Sequence, residues 1–189
     1  MTVADRRVSL RAGAILGALL SCSGAAGAQT VTESSLKAAF IYNVAKFTEW
    51  PQGVPPPSAP FVACVLGDRS IGDALERTVS GRLLFGRSIC VSRVTLDGSL
   101  RACHMLYVAG AASAQTEKVL ASVRDAPVLT ITDAEDSGQP ESVVRMFVEN
   151  GRLRFALSLD LARRSRLQLS SKLLVLAQRI QDESNPGKR

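Results

Sequence analysis

The 189-residue chain has one histidine, His104, and one tryptophan, Trp50, and aromatic residues make up only 5% of it. A lone imidazole cannot build a His-rich metal centre, and it leaves any Ser-His-Asp or Cys-His arrangement a single candidate base. His104 directly follows Cys103 at the start of an apolar run. Adjacent strand residues point to opposite faces, so these two are not placed to act as a dyad. No spacing of Cys, His and carboxylates matches a zinc or calcium site. A Gly-x-Gly-x-x-Gly order and a P-loop lysine are also missing. The expectation is a chain with no catalytic residue, no metal and no cofactor.

Charge of one sign is scarce too. There are 23 Lys+Arg against 17 Asp+Glu, with 46% hydrophobic and 21% charged residues. Such a chain can bury a core and is neither disordered nor collagen-like. The length suits one domain plus a targeting segment, and no internal repeat is visible.

No apolar run is long enough to cross a bilayer. Ala12 to Leu20 is about half of the roughly 20 residues required. Arg6, Arg7 and Arg11 precede this run and Ala26-Gly27-Ala28 closes it, the pattern of a secretory signal peptide over residues 1–28. Residues 29–182 then form the domain and 183–189 a disordered tail. Two variants of export stand beside this one: Leu19-Leu20-Ser21-Cys22 resembles a lipobox, and the Arg6-Arg7 pair resembles a twin-arginine signal. Losing residues 1–28 removes three arginines and Asp5, which lowers the net charge from +6 to +4. That excess is mild and forms no basic stripe, so nucleic acid is not an expected partner. Cys64, Cys90 and Cys103 remain. An oxidising compartment implies one bridge and one leftover thiol, but three buried thiols acting as small apolar groups fit the spacing equally well.

Along the mature chain, Leu36, Phe40, Val44 and Phe47 recur at helical spacing between Ser34 and Trp50, and Pro51 ends the pattern. A proline-rich loop follows. Apolar runs at 61–66, 88–94, 104–109 and 127–132 read as strands, with helices from Ser70 and Ser113 between them. Short continuous apolar strands alternating with helices imply βαβ units and a largely parallel sheet buried on both faces. Val143 to Glu149 and Arg152 to Leu159 flank Asn150-Gly151, whose residues accept positive φ, and so predict an antiparallel hairpin. Asp160 to Arg166 reads as a short basic helix. A last helix from Ser170 would carry Leu173, Leu176 and Ile180 on one face, with Leu169 one turn earlier. The fold class is α/β: one domain, a largely parallel sheet with an added antiparallel hairpin, flanked by helices.

Two regions could bind something. Gly67-Asp68-Arg69-Ser70-Ile71-Gly72 joins a strand to a helix and is either a plain capped turn or, through Asp68, Arg69 and Ser70, the rim of a small-ligand site. Asp133, Glu135 and Asp136 crowd a later loop and read as solvated. Arg163 and Arg164 in the basic stretch, Leu169 and Leu173 on the last helix, and Phe47 and Trp50 at the end of the first are candidate partner contacts.

Leu36-Lys37-Ala38-Ala39-Phe40-Ile41-Tyr42-Asn43, with Lys46-Phe47-Thr48-Glu49-Trp50-Pro51, resembles the opening signature of the YfiR-like family of periplasmic proteins. Cys64-Val65-Leu66-Gly67, Cys103-His104-Met105-Leu106-Tyr107-Val108, Gly151-Arg152-Leu153-Arg154-Phe155 and Ser170-Ser171-Lys172-Leu173-Leu174 resemble its later blocks in order. The resemblance implies a non-enzymatic, often dimeric periplasmic α/β domain. Such a domain restrains a membrane-bound diguanylate cyclase by binding its periplasmic part, and is itself sequestered by an OmpA-like outer-membrane lipoprotein. It also implies a Cys64–Cys103 bridge, with Cys90 free. Nothing after Cys103 is a cysteine, so a second, C-terminal bridge of the type described in the family has no counterpart. Ser158 stands where the family commonly has Asn.

Overall fold

The computed structural model describes residues 32–96, 98–109, 113–133 and 142–181. Residues 1–28, expected to be a signal peptide, Cys22 within them, Glu135, Asp136 and the expected tail at 183–189 lie outside the described residues.

Helix α1 (Glu33–Lys46) starts at Thr32, whose hydroxyl accepts the Ser35 N–H at 3.2 Å. This satisfies a donor that no helical carbonyl can reach. A two-residue strand β1 (Thr48–Glu49) follows, then β2 (Phe61–Leu66), α2 (Arg69–Val79), β3 (Leu83–Leu84) and β4 (Arg87–Arg93). A 3-10 turn at Leu100–Ala102 leads into β5 (Met105–Ala109), α3 (Ser113–Ser122) and β6 (Leu129–Asp133). The chain closes with β7 (Val144–Glu149), β8 (Arg152–Ser158), α4 (Leu159–Arg164), β9 (Gln168–Leu169), α5 (Ser171–Leu176) and β10 (Arg179–Gln181).

Eight strands form one sheet in the order β10-β8-β7-β6-β5-β2-β4-β3. β2 is parallel to both neighbours, β4 and β5, and β5–β6 and β6–β7 are parallel as well. Side-chain alternation divides the apolar strands between two cores. Phe61, Ala63 and Val65 of β2, with Met105 and Tyr107 of β5, face a large core shared with α1 and α2. Cys64, Leu66, Leu106 and Val108 face the opposite core with Val119 and Val123. The unbroken apolar runs are thus the signature of a sheet covered on both sides. The hairpin β7–β8 extends the same sheet, and its turn residues Asn150 and Gly151 have φ of 52° and 69°.

Two expectations are corrected. Of the inferred stripe, Val44 is buried and Phe40 and Phe47 pack against the core, but Leu36 is 49% exposed, and the fully buried face of α1 adds Ala38, Ile41, Tyr42 and Ala45. The last helix stops at Leu176, because Ala177 turns to extended backbone and Gln178 N–H bonds to Phe155 O at 2.9 Å. Ile180 therefore belongs to β10, a parallel edge strand beside β8. The structure adds an unexpected antiparallel pairing of β1 with β9, a contact across the chain that local periodicity does not encode.

Candidate functional site

The chain runs from β2 outward to β4, then returns across β2 to β5 and on to β6. The direction of winding reverses between β2 and β5, and in open α/β sheets ligands bind beyond the carboxyl ends of the strands at such a point. Here that position is built from the ends of β2, β5 and β6 and the start of α1.

Gly67 leaves β2 with φ +99°, and a Cβ on it would lie 2.3 Å from the Ala109 carbonyl oxygen. Only glycine lets the two strand ends approach this closely. Asp68 then caps α2: its Oδ1 accepts Ser70 N–H at 2.7 Å, Ile71 N–H at 3.3 Å and the Ser70 hydroxyl at 2.7 Å. Burial alone would raise this carboxyl, but the Ser70 and Ile71 donors and the Lys37 charge hold it below its ordinary value. The Ser70 hydroxyl also shares a 2.8 Å hydrogen bond with Ser34 of α1.

Lys37 lies on the same end of α1. Its Nζ pairs with Asp133 at the end of β6 and with Glu33 at 2.5 Å. The Tyr107 hydroxyl donates to Asp133 Oδ2 at 3.2 Å. Lys37 and Asp133 side chains are 13% and 18% exposed, so the pair is largely shielded from water. Burial opposes the charged lysine, yet the bonds and charges of Asp133 and Glu33 raise its pKa. Burial, then the Asp133 charge, pushes the Tyr107 phenol far above its ordinary range.

At the opposite end of the strands His104 is structural. Its Nδ1 accepts the Val62 N–H at 2.9 Å, and its ring lies 5.3 Å from that of Phe61. Burial and nearby Arg87 lower its pKa, so the imidazole is neutral. Trp50 lies beside it, with Nε1 donating to the His104 and Pro127 carbonyls at 3.1 Å each. Cys64 and Cys103 form a disulfide across 39 residues in the second core, and Cys90 is a free, exposed thiol.

The structure brings Asp68 and Ser70 into the strand-end cluster, with Arg69 exposed beside them. Leu169 pairs with Thr48 where β1 meets β9, next to Phe47, whose carbonyl oxygen accepts the Ser170 N–H at 2.9 Å. Arg163 and Arg164 are exposed on the last turn of α4, while Leu173 is 3% exposed and belongs to the core. Lys37 and Tyr107 were not singled out from the sequence. A lysine on a mostly apolar helical turn and a tyrosine in a fully buried strand were the available signals.

A doubly wound α/β domain with a disulfide in one core and a closed polar cluster at its switch point defines the class. A family model described as YfiR/HmsC-like matches residues 34–178, and the chain belongs to the YfiR/HmsC-like family, whose members are periplasmic regulators. No curated relative matches the chain. Among solved structures, the chain is similar to a conserved domain protein from Vibrio cholerae O1 biovar El Tor, with a TM-score of 0.54 at 7% identity. The match covers 79% of this chain and 60% of that one. At that identity the likeness is one of fold.

Proposed function

We propose that the protein is a non-enzymatic regulator exported to the periplasm, where it binds the periplasmic part of a membrane-bound diguanylate cyclase and lowers cyclic di-GMP synthesis. The family match across residues 34–178 carries this reading. The state of the strand-end cluster supports it. Lys37 is engaged by Asp133 and Glu33, Tyr107 by Asp133, and Asp68 by the start of α2. These groups are occupied with one another where an α/β enzyme would hold substrate. That occupancy supports action through a surface, and a bound regulator shifts a two-state sensor only by its affinity difference between the states. In this reading Phe47, Trp50, Leu169, Arg163 and Arg164 contact the sensor while buried Leu173 supports them from beneath. The working form is a homodimer, and an OmpA-like outer-membrane lipoprotein competes for it. Affinity capture from solubilised envelopes tests the idea. The wild type recovers the cyclase and Arg164→Glu recovers much less; capture of no cyclase defeats it.

The position of the cluster at a switch point favours a second reading, a small-molecule-binding module. A thermal-shift screen separates the two, because a ligand raises the melting temperature without any protein partner.

A further inference from the structure

The β3–β4 hairpin carries two large apolar side chains, Leu83 and Phe85, that are 61% and 52% exposed. Its turn residues, Phe85 and Gly86, have φ of 52° and 76°, the left-handed geometry usually met by Asn-Gly. A bulky aromatic residue in that conformation is strained, and strain of this kind is retained where a function requires the side chain. A Cβ placed on Gly81 or Gly86 meets nothing within 4 Å, so the turn is open at both glycines, while Leu84 enters the core and the Phe85 ring lies beside Trp50.

Cations surround it. Arg82 lies 5.3 Å from the Tyr42 ring centroid and Lys46 lies 5.7 Å from the same ring. Arg87 follows the turn, and its buried Nε has no hydrogen-bond partner. Among the described residues Lys46, Arg82 and Arg87 have no ion-pair partner, and residues 80–92 contain no acid. The core of a protein interface is a broad patch packed as tightly as an interior. Two apolar side chains at a projecting tight turn, ringed by unpaired cations, instead match the boundary between anionic headgroups and acyl chains.

We infer that this hairpin docks on an anionic membrane surface, with Leu83 and Phe85 entering the acyl boundary and Lys46, Arg82 and Arg87 meeting lipid phosphates. Trp50, the only tryptophan, lies 6.1 Å from the Phe85 ring and reports the contact. The test uses the signal-free chain with vesicles of phosphatidylcholine alone or mixed with phosphatidylglycerol. Expected are co-sedimentation and a blue shift of Trp50 emission with phosphatidylglycerol vesicles only, both weakened by high salt. Phe85→Asn suits the left-handed turn, so it keeps the fold by circular dichroism while lowering vesicle affinity by about tenfold. Arg82→Gln lowers it by about fivefold. The inference is overturned if phosphatidylglycerol vesicles bind no protein, or if Phe85→Asn binds them as well as the wild type. A dimer lost on Phe85→Asn without any vesicle binding would overturn it in favour of a contact between copies.

Discussion

Lys37 of α1 and Asp133 at the end of β6 are paired across 96 residues of sequence. With both side chains mostly shielded, removing one partner leaves the other charge with weaker support, Lys37 with exposed Glu33 and Asp133 with the Tyr107 hydroxyl, which costs more than losing an exposed pair. Lys37→Met is expected to destabilise the domain by about 2 kcal/mol, and adding Asp133→Asn recovers part of that loss. Urea unfolding of the four members of this cycle checks it; strictly additive losses would show that the pair contributes nothing.

The same cluster sets the alkaline limit. The pKa values of both Lys37 and Tyr107 are raised by folding, so their stabilisation is complete below about pH 10 and is lost as pH rises beyond it. Tyr107→Phe costs roughly 1 kcal/mol at neutral pH through the lost bond to Asp133. It also flattens the fall in melting temperature above about pH 10. An identical alkaline slope in wild type and variant would contradict the assignment.

His104 acts in the acid range with the opposite sign. Its pKa is lowered by folding and its Nδ1 accepts from Val62, so protonation would set one donor against another. Stability is present above about pH 6.5 and is lost as pH falls below it. His104→Asn keeps an acceptor and cannot titrate. The variant starts less stable, through the lost ring contact with Phe61, but its melting temperature changes less between about pH 7 and pH 5.

Reducing the Cys64–Cys103 bridge frees a 39-residue loop and is expected to cost about 4 kcal/mol. The two sulfur residues are 1% and 3% exposed and Cys90 is exposed. Alkylation of the native chain lacking residues 1–28, and with them Cys22, followed by intact-mass analysis therefore adds one label, and three appear only after unfolding in reductant. Three labels on the native protein would contradict the buried bridge.

What the sequence made legible was local. The apolar runs of β2, β5 and β6 and the Asn150-Gly151 turn each carry their signal within a few residues, and each stands as expected. The family blocks implied the Cys64–Cys103 pairing, which spacing alone had left open. The failures share one physical origin: a decision taken by distant chain. In α1, small Ala38 and Ala45 are buried while large Leu36 is half exposed, because close packing selects size as well as hydrophobicity. At the carboxyl terminus, Ile180 fits a helical stripe but gains ladder bonds by joining β8. Lys37, Tyr107, Asp133 and Asp68 each look ordinary in their own segment, and their convergence at the switch point exists only after the sheet has formed.

If the protein restrains a membrane diguanylate cyclase, deleting its gene must release that enzyme. Intracellular cyclic di-GMP, measured by mass spectrometry in deletion and complemented strains, is expected to rise several-fold on deletion and return to the wild-type level on complementation. An unchanged level in the deletion strain, with the cyclase gene intact and expressed, would contradict the proposed role.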